Sequence, residues 1–156
     1  MNDIVSKVQK WFQAEEAAAH CDGPCGVYDP ADARIKAEAV LSMTKKILAL
    51  APPADNNPQA WAAYLNTMAR YIQIKEDQAH KTKTELLVLW TDYFKPQHLE
   101  QYPDLHDVFW SAAKLCSACK VEVNLEKATE LVETVKKIHQ MFWATKGRDV
   151  TFYLAS

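Results

Sequence analysis

The sequence predicts an all-α protein, an antiparallel four-helix bundle, on three observations. Only three glycines occur in 156 residues, while Ala, Leu, Lys and Glu dominate, a composition that favours helices and leaves little for hairpin turns. Apolar residues recur at helical spacing in four successive segments. Cap-and-proline signals and short polar loops divide those segments, so consecutive helices are expected to pack antiparallel.

The elements follow in order. Asp29-Pro30 offers a cap and a first-turn proline. Ile35, Ala39, Met43, Ile47 and Leu50 then mark the apolar face of a first helix, which stops near Pro52-Pro53. Asn57-Pro58 repeats the signal and opens a second, long helix whose face runs Trp61, Leu65, Met68 and Ile72 and resumes at Leu86, Val88, Leu89 and Trp90. Its polar middle, "KEDQAHKTKTE", contains no Gly or Pro and is read as continuous helix. "KPQHLEQYPD" is a loop. A third helix follows Pro103, with Leu105, Val108, Phe109, Ala112 and Leu115-Cys116 on one face. Asn124 caps a fourth, carrying Leu131, Val135, Ile138 and Phe142, and Gly147 ends it. The tail "RDVTFYLAS" is expected to be a short extended piece lying on a neighbour.

A net charge of −2 argues against a general affinity for nucleic acid or anionic membrane. No apolar run approaches the ~18 residues needed to span a bilayer. At the start, Ile4, Val5, Val8, Trp11 and Phe12 draw one stripe on a helix, but Ser6 and Lys7 interrupt the continuous apolar core of a secretory signal. Residues 1–19 therefore read as an amphipathic leader on a cytoplasmic protein. Four cysteines in two close pairs, Cys21/Cys25 and Cys116/Cys119, are too few for a secreted disulfide framework at this length. Metal or redox use of at least one pair is the better reading.

The stretch "AAAHCDGPCGVYDP", Ala17 to Pro30, carries the chemistry. As an internal loop, His20, Cys21 and Cys25 offer three side-chain ligands, one short of a closed structural zinc site. Cutting between Ala19 and His20 changes this. His20 then gains an α-amine with an unperturbed pKa of ~7.7–8.0. That amine and the Cys21 amide nitrogen close one five-membered chelate, and the Cys21 amide and its own thiolate close another. Cys25, returned by the turn at Gly23-Pro24, adds a second thiolate in the same plane, and the His20 imidazole can reach an axial position. Such a tetragonal nitrogen/sulfur set suits Ni(II) or Cu(II) better than tetrahedral zinc. Anionic donors of this kind stabilise the higher metal charge and point to one-electron redox catalysis.

"HCDGPCGVYDP", His20 to Pro30, closely resembles the nickel-binding hook of the nickel superoxide dismutase family, and "VLWTDYFKPQHLEQYPDLH" and "IHQMFWATK" resemble later stretches of it. The resemblance implies a pro-segment, residues 1–19, removed by a maturation protease after Ala19, and a dismutase domain over 20–156. That domain comprises the hook at 20–30, a helical bundle at about 30–147 and a short tail. It implies one nickel ion per subunit, held by His20 (amine and imidazole), Cys21 (amide nitrogen and thiolate) and Cys25 (thiolate), and dismutation of superoxide to dioxygen and hydrogen peroxide. Tyr28 and Tyr93 would wall the substrate approach, Asp92 would support them, and Lys95 would attract the anionic substrate. A cis Gly23–Pro24 bond and a homohexamer in which neighbours cover each other's hooks are implied in the same way.

The resemblance also marks a departure. The family places a glutamate sixteen residues after the hook histidine and an arginine from another subunit to hold the imidazole, and this chain has Lys36 and Gln78 at those positions. An alternative support is expected, and Glu38, although nearby, is not assigned the role. Cys116 and Cys119, three apart on a helix, read as small buried packing residues. His98 and His106 read as hydrogen-bonding residues of a loop. Two other functions compete with the dismutase: a non-enzymatic protein that binds a thiophilic metal without cleavage, and a plain helical scaffold with a disulfide.

Overall fold

A computed structural model of the chain describes residues 26–156. The leader stripe at 4–12, the three hook ligands His20, Cys21 and Cys25, and the Gly23–Pro24 bond lie outside the described residues. Four long helices make the body: α1 (Ala31–Ala49), α2 (Pro58–Val88), α4 (Leu105–Val121) and α5 (Leu125–Thr145). A π-helical turn, Leu89–Tyr93, continues α2, and the short α3 (His98–Gln101) stands before α4. No strand occurs among the described residues. α1 packs on α2, α2 on α4, α4 on α5, and α5 closes the ring on α1. This is the four-helix bundle expected from the short connections.

Local chemistry sets the helix ends. Asp29 Oδ1 accepts the Ala31 amide at 2.8 Å, so Asp29 caps α1 from one residue further out than expected, and Pro30 stands at the cap position. Asn57 accepts from Gln59 and Ala60 at the start of α2, with Pro58 in the first turn. Asn124 accepts from Lys127 at the start of α5. Gly147, at φ +64°, lets its amide turn back to Ala144 and end that helix.

The core follows the expected faces of α4 and α5, where Leu105, Phe109, Ala112, Cys116, Leu131, Val135, Ile138 and Phe142 are all buried. The faces of α1 and α2 differ. α1 buries Ala33, Ala37, Val40, Leu41, Thr44 and Ile47, and leaves Ile35 exposed. α2 leaves Trp61 and Leu65 exposed and buries Lys75, Ala79, Thr82 and Leu86, a stripe inside the stretch that looked polar. Lys75 tolerates burial because its ammonium donates to the carbonyls of Cys119, Lys120 and Glu122, which the end of α4 leaves without helical partners. Thr82 donates within its own helix, to Gln78 O at 2.8 Å.

The tail makes contacts with the chain's own helices. His139 Nε2 donates to Val150 O at 2.8 Å and its ring meets Phe152. Arg34 covers the Tyr153 ring at 4.1 Å and donates to its carbonyl. Glu38 accepts the amides of Ala155 and Ser156 and the Ser156 hydroxyl.

Candidate active site

The described chain begins at Gly26, directly after Cys25, with φ +62°. That left-handed backbone, which glycine adopts without strain, turns the chain toward Val27 and Tyr28 before Asp29 starts α1. Across from it, the π-helical turn ends α2. Phe94 N–H donates to Leu89 O at 3.1 Å, and Phe94 itself is extended. A wide turn of this kind re-aims side chains relative to a continuing α-helix. It carries Asp92 and Tyr93, with Lys95 two residues beyond.

Tyr28, Asp92, Tyr93 and Lys95 line one cavity of about 420 Å³, together with Gly26, Gln97 and His98. The four non-ligand residues singled out in the sequence, 64 or more positions apart for Tyr28 and the rest, thus share a wall with the residue that follows the last hook cysteine. The rings of Tyr28 and Tyr93 are 5.5 Å apart and tilted by 55°. Tyr93 also packs on Phe142 at 4.4 Å. Its hydroxyl lies 2.6 Å from Thr145 Oγ1. Thr145 sends its own proton to Phe142 O, so the Tyr93 O–H donates to Thr145. Tyr93 is therefore fixed at both ring and hydroxyl. Asp92 accepts from Thr91 Oγ1 at 2.7 Å and stays exposed, as does Lys95.

Two further neighbours were not read as site residues in the sequence. Lys146 stands 5.3 Å over the Tyr93 ring, a cation–π contact that adds positive charge beside the wall. His98 lines the cavity and stacks on Tyr93. Lys146 comes from far along the chain, and His98, five residues after Tyr93, meets its ring only because the π-helical turn breaks the helical spacing between them.

Among the described residues no group of three or more His, Cys, Asp or Glu side chains gathers in a way that could hold a metal ion. Burial, with Cys119 beside it, pushes the Cys116 thiol up to about 12, and burial raises Cys119 as well, so both stay protonated at neutral pH. The nitrogen and sulfur donors suited to nickel stand in sequence at His20, Cys21 and Cys25, immediately before the cavity wall. Their chemistry fits that metal.

Residues 15–146 match the family model described as nickel-containing superoxide dismutase. The chain belongs to the nickel-containing superoxide dismutase family. It is 40% identical over 131 residues to "Superoxide dismutase [Ni]" of Streptomyces seoulensis, covering 84% of this chain and 91% of that one. It is 38% identical over 129 residues to the protein of the same description from Streptomyces coelicolor, covering 83% and 89%. A crystal structure of a nickel-containing superoxide dismutase with the ligation of the oxidised state superposes with a TM-score of 0.70 at 40% identity, covering 83% of this chain and all of that one. The tail from Gly147 onward lies beyond the residues matched to the nickel superoxide dismutase model.

Around Lys36 the local structure is an ion cluster. Lys36 Nζ lies 3.1 Å from Glu85 and 3.2 Å from Asp32. Glu85 and Asp32 line a second, smaller cavity of about 180 Å³ with Val27, Tyr28 and Asp29. Gln78 Nε2 donates to Asp77 Oδ2 at 3.3 Å. Glu38 is occupied by the tail.

Proposed function

We propose that this chain is a nickel superoxide dismutase, matured by removal of residues 1–19 after Ala19 and assembled as a homohexamer. The observation that carries the reading is the cavity wall, where Tyr28, Asp92, Tyr93 and Lys95 meet beside Gly26, the residue after Cys25. His20, Cys21 and Cys25 would hold the ion through the freed amine, the Cys21 amide nitrogen, two thiolates and the imidazole. Bound there, nickel supplies a one-electron couple that both takes an electron from superoxide and returns one.

The remaining work belongs to the chain. Lys95 places a positive charge at the cavity and draws in an anion. Tyr28 and Tyr93 narrow the approach to small diatomic species. Because the Tyr93 hydroxyl proton is committed to Thr145, Tyr93 acts as a wall and an acceptor for cavity water. The protons consumed in forming hydrogen peroxide thus arrive from solvent through the exposed Asp92 and Lys95 side. The location is cytoplasmic on this reading, and no described helix is long and apolar enough to cross a membrane.

Replacing Cys21 and Cys25 by serine tests the proposal. Nickel content, by mass spectrometry of purified protein, and superoxide consumption should fall together to background. Retention of both, or of activity alone, would refute it. A carrier without catalysis would instead bind metal and leave superoxide untouched.

A further inference from the structure

Lys95 sits in an exposed turn, and a long flexible side chain there is aimed only as well as its backbone is held. The turn Lys95-Pro96-Gln97-His98 holds it in an unusual way. His98 N–H donates to Lys95 O at 2.9 Å, while Lys95 N–H donates to His98 Nδ1 at 3.1 Å. Two bonds therefore run in opposite directions between the same two residues. The first closes an ordinary turn, and the second is the back-bond that a Glu or Gln side chain makes in a capping box, made here by an imidazole. Between them Pro96 restricts its own φ and offers no competing donor.

The imidazole is itself held. It stacks on the Tyr93 ring, centroids 5.8 Å apart and planes 21° off parallel, and meets Phe94 edge-on at 5.6 Å. Phe94 is buried against Phe109 in the core. A rigid path thus runs from the core through Phe94 and His98 to the Lys95 backbone, and a branch runs to the Tyr93 ring. Tyr93, Lys95 and His98 all line the same cavity. As Nδ1 accepts an amide proton, the ring proton of neutral His98 is on Nε2.

Resting on the dismutase reading of Lys95, we propose that His98 is a positioning residue for the reaction: it fixes the Lys95 backbone through Nδ1 and the Tyr93 ring by stacking. It acts through those two residues.

The test is a double-mutant cycle on nickel-loaded mature protein, with ¹⁵N NMR of the histidine rings. His98→Ala should lower kcat/KM about threefold or more and flatten its dependence on ionic strength. His98→Asn, whose amide oxygen can accept the Lys95 N–H, should recover most of that loss. In a Lys95→Gln background, His98→Ala should cost less than it does alone, because the part of its effect that passes through Lys95 is already lost. Equal cost in both backgrounds, or no recovery in His98→Asn at equal nickel content, would overturn the proposal. The ring spectrum decides even if the alanine variant fails to fold: the wild-type protein should show His98 unprotonated at Nδ1, and a proton there would refute the contact. Wild-type protein without nickel or activity would instead bring down the dismutase reading itself, and the ring spectrum would still judge the contact.

Discussion

Tyr28 and Tyr93, 65 positions apart, stand with ring centroids 5.5 Å apart across one cavity. One comes three residues after the last hook cysteine, the other from the π-helical turn that ends α2. Their meeting ties the end of the hook segment to the helical body. It also builds one cavity wall from two motifs that are distant in the chain.

Lys95 should act on encounter rather than on chemistry. Lys95→Gln is expected to lower kcat/KM by up to about tenfold at low salt, with wild type and variant converging above ~0.15 M, where the screening length is about 8 Å. Stopped-flow decay of superoxide at several ionic strengths measures it. Parallel salt profiles would mean that Lys95 does not steer.

Nickel removal should expose two thiols and no more. Cys116 and Cys119 are buried with raised pKa values, so a neutral-pH alkylating reagent should leave them intact in folded protein. Cys21 and Cys25 should be alkylated in nickel-free protein and protected when nickel is bound. Peptide mapping by mass spectrometry reads all four sites. Early labelling of Cys116 would contradict the packing described.

The tail should come loose in acid. Burial alone would raise the Glu38 pKa, but the Ala155 and Ser156 donors and the Arg34 charge outweigh it and hold the carboxyl below its ordinary range. A folded-state pKa lower than the unfolded one contributes stability above the unfolded value, and that contribution fades as pH falls through the folded one. Amide signals of 150–156 should therefore shift toward random-coil positions below the ordinary carboxylate pKa. Glu38→Gln should release the tail at neutral pH, at a cost of about 1–3 kcal/mol. A tail that stays docked in Glu38→Gln would show that Arg34 and Phe152 suffice.

Much of this was legible in the sequence, and the failures have physical causes. Apart from His139, α4 and α5 bury apolar or small residues and carry clear end signals, so Leu105 to Cys116 and Leu131 to Phe142 read correctly. α2 misled because Lys75 and Thr82 look like surface residues. Each is buried only because it finds carbonyl partners, Lys75 on another helix. In α1 the core face mixes Ala33, Ala37 and Thr44 with Val40, Leu41 and Ile47, while the larger Ile35 faces out, so at that position side-chain size pointed the wrong way. At the site, His20, Cys21 and Cys25 stand out in the sequence because these candidate donors are nearly consecutive. Lys146 and His98 do not, since their contacts with Tyr93 arise from the π-helical turn and the bundle's closure. The resemblance marks Lys36 as a departure, yet only the structure brings Glu85 to it from α2.

The central claim is that a histidine amine freed by cleavage completes the donor set. The most direct measurement compares superoxide consumption and nickel content for protein beginning at His20 with those for the same protein retaining residues 1–19. The account predicts a nickel ion in every cleaved chain and dismutation by cleaved protein alone. Equal activity from the uncleaved chain would contradict it.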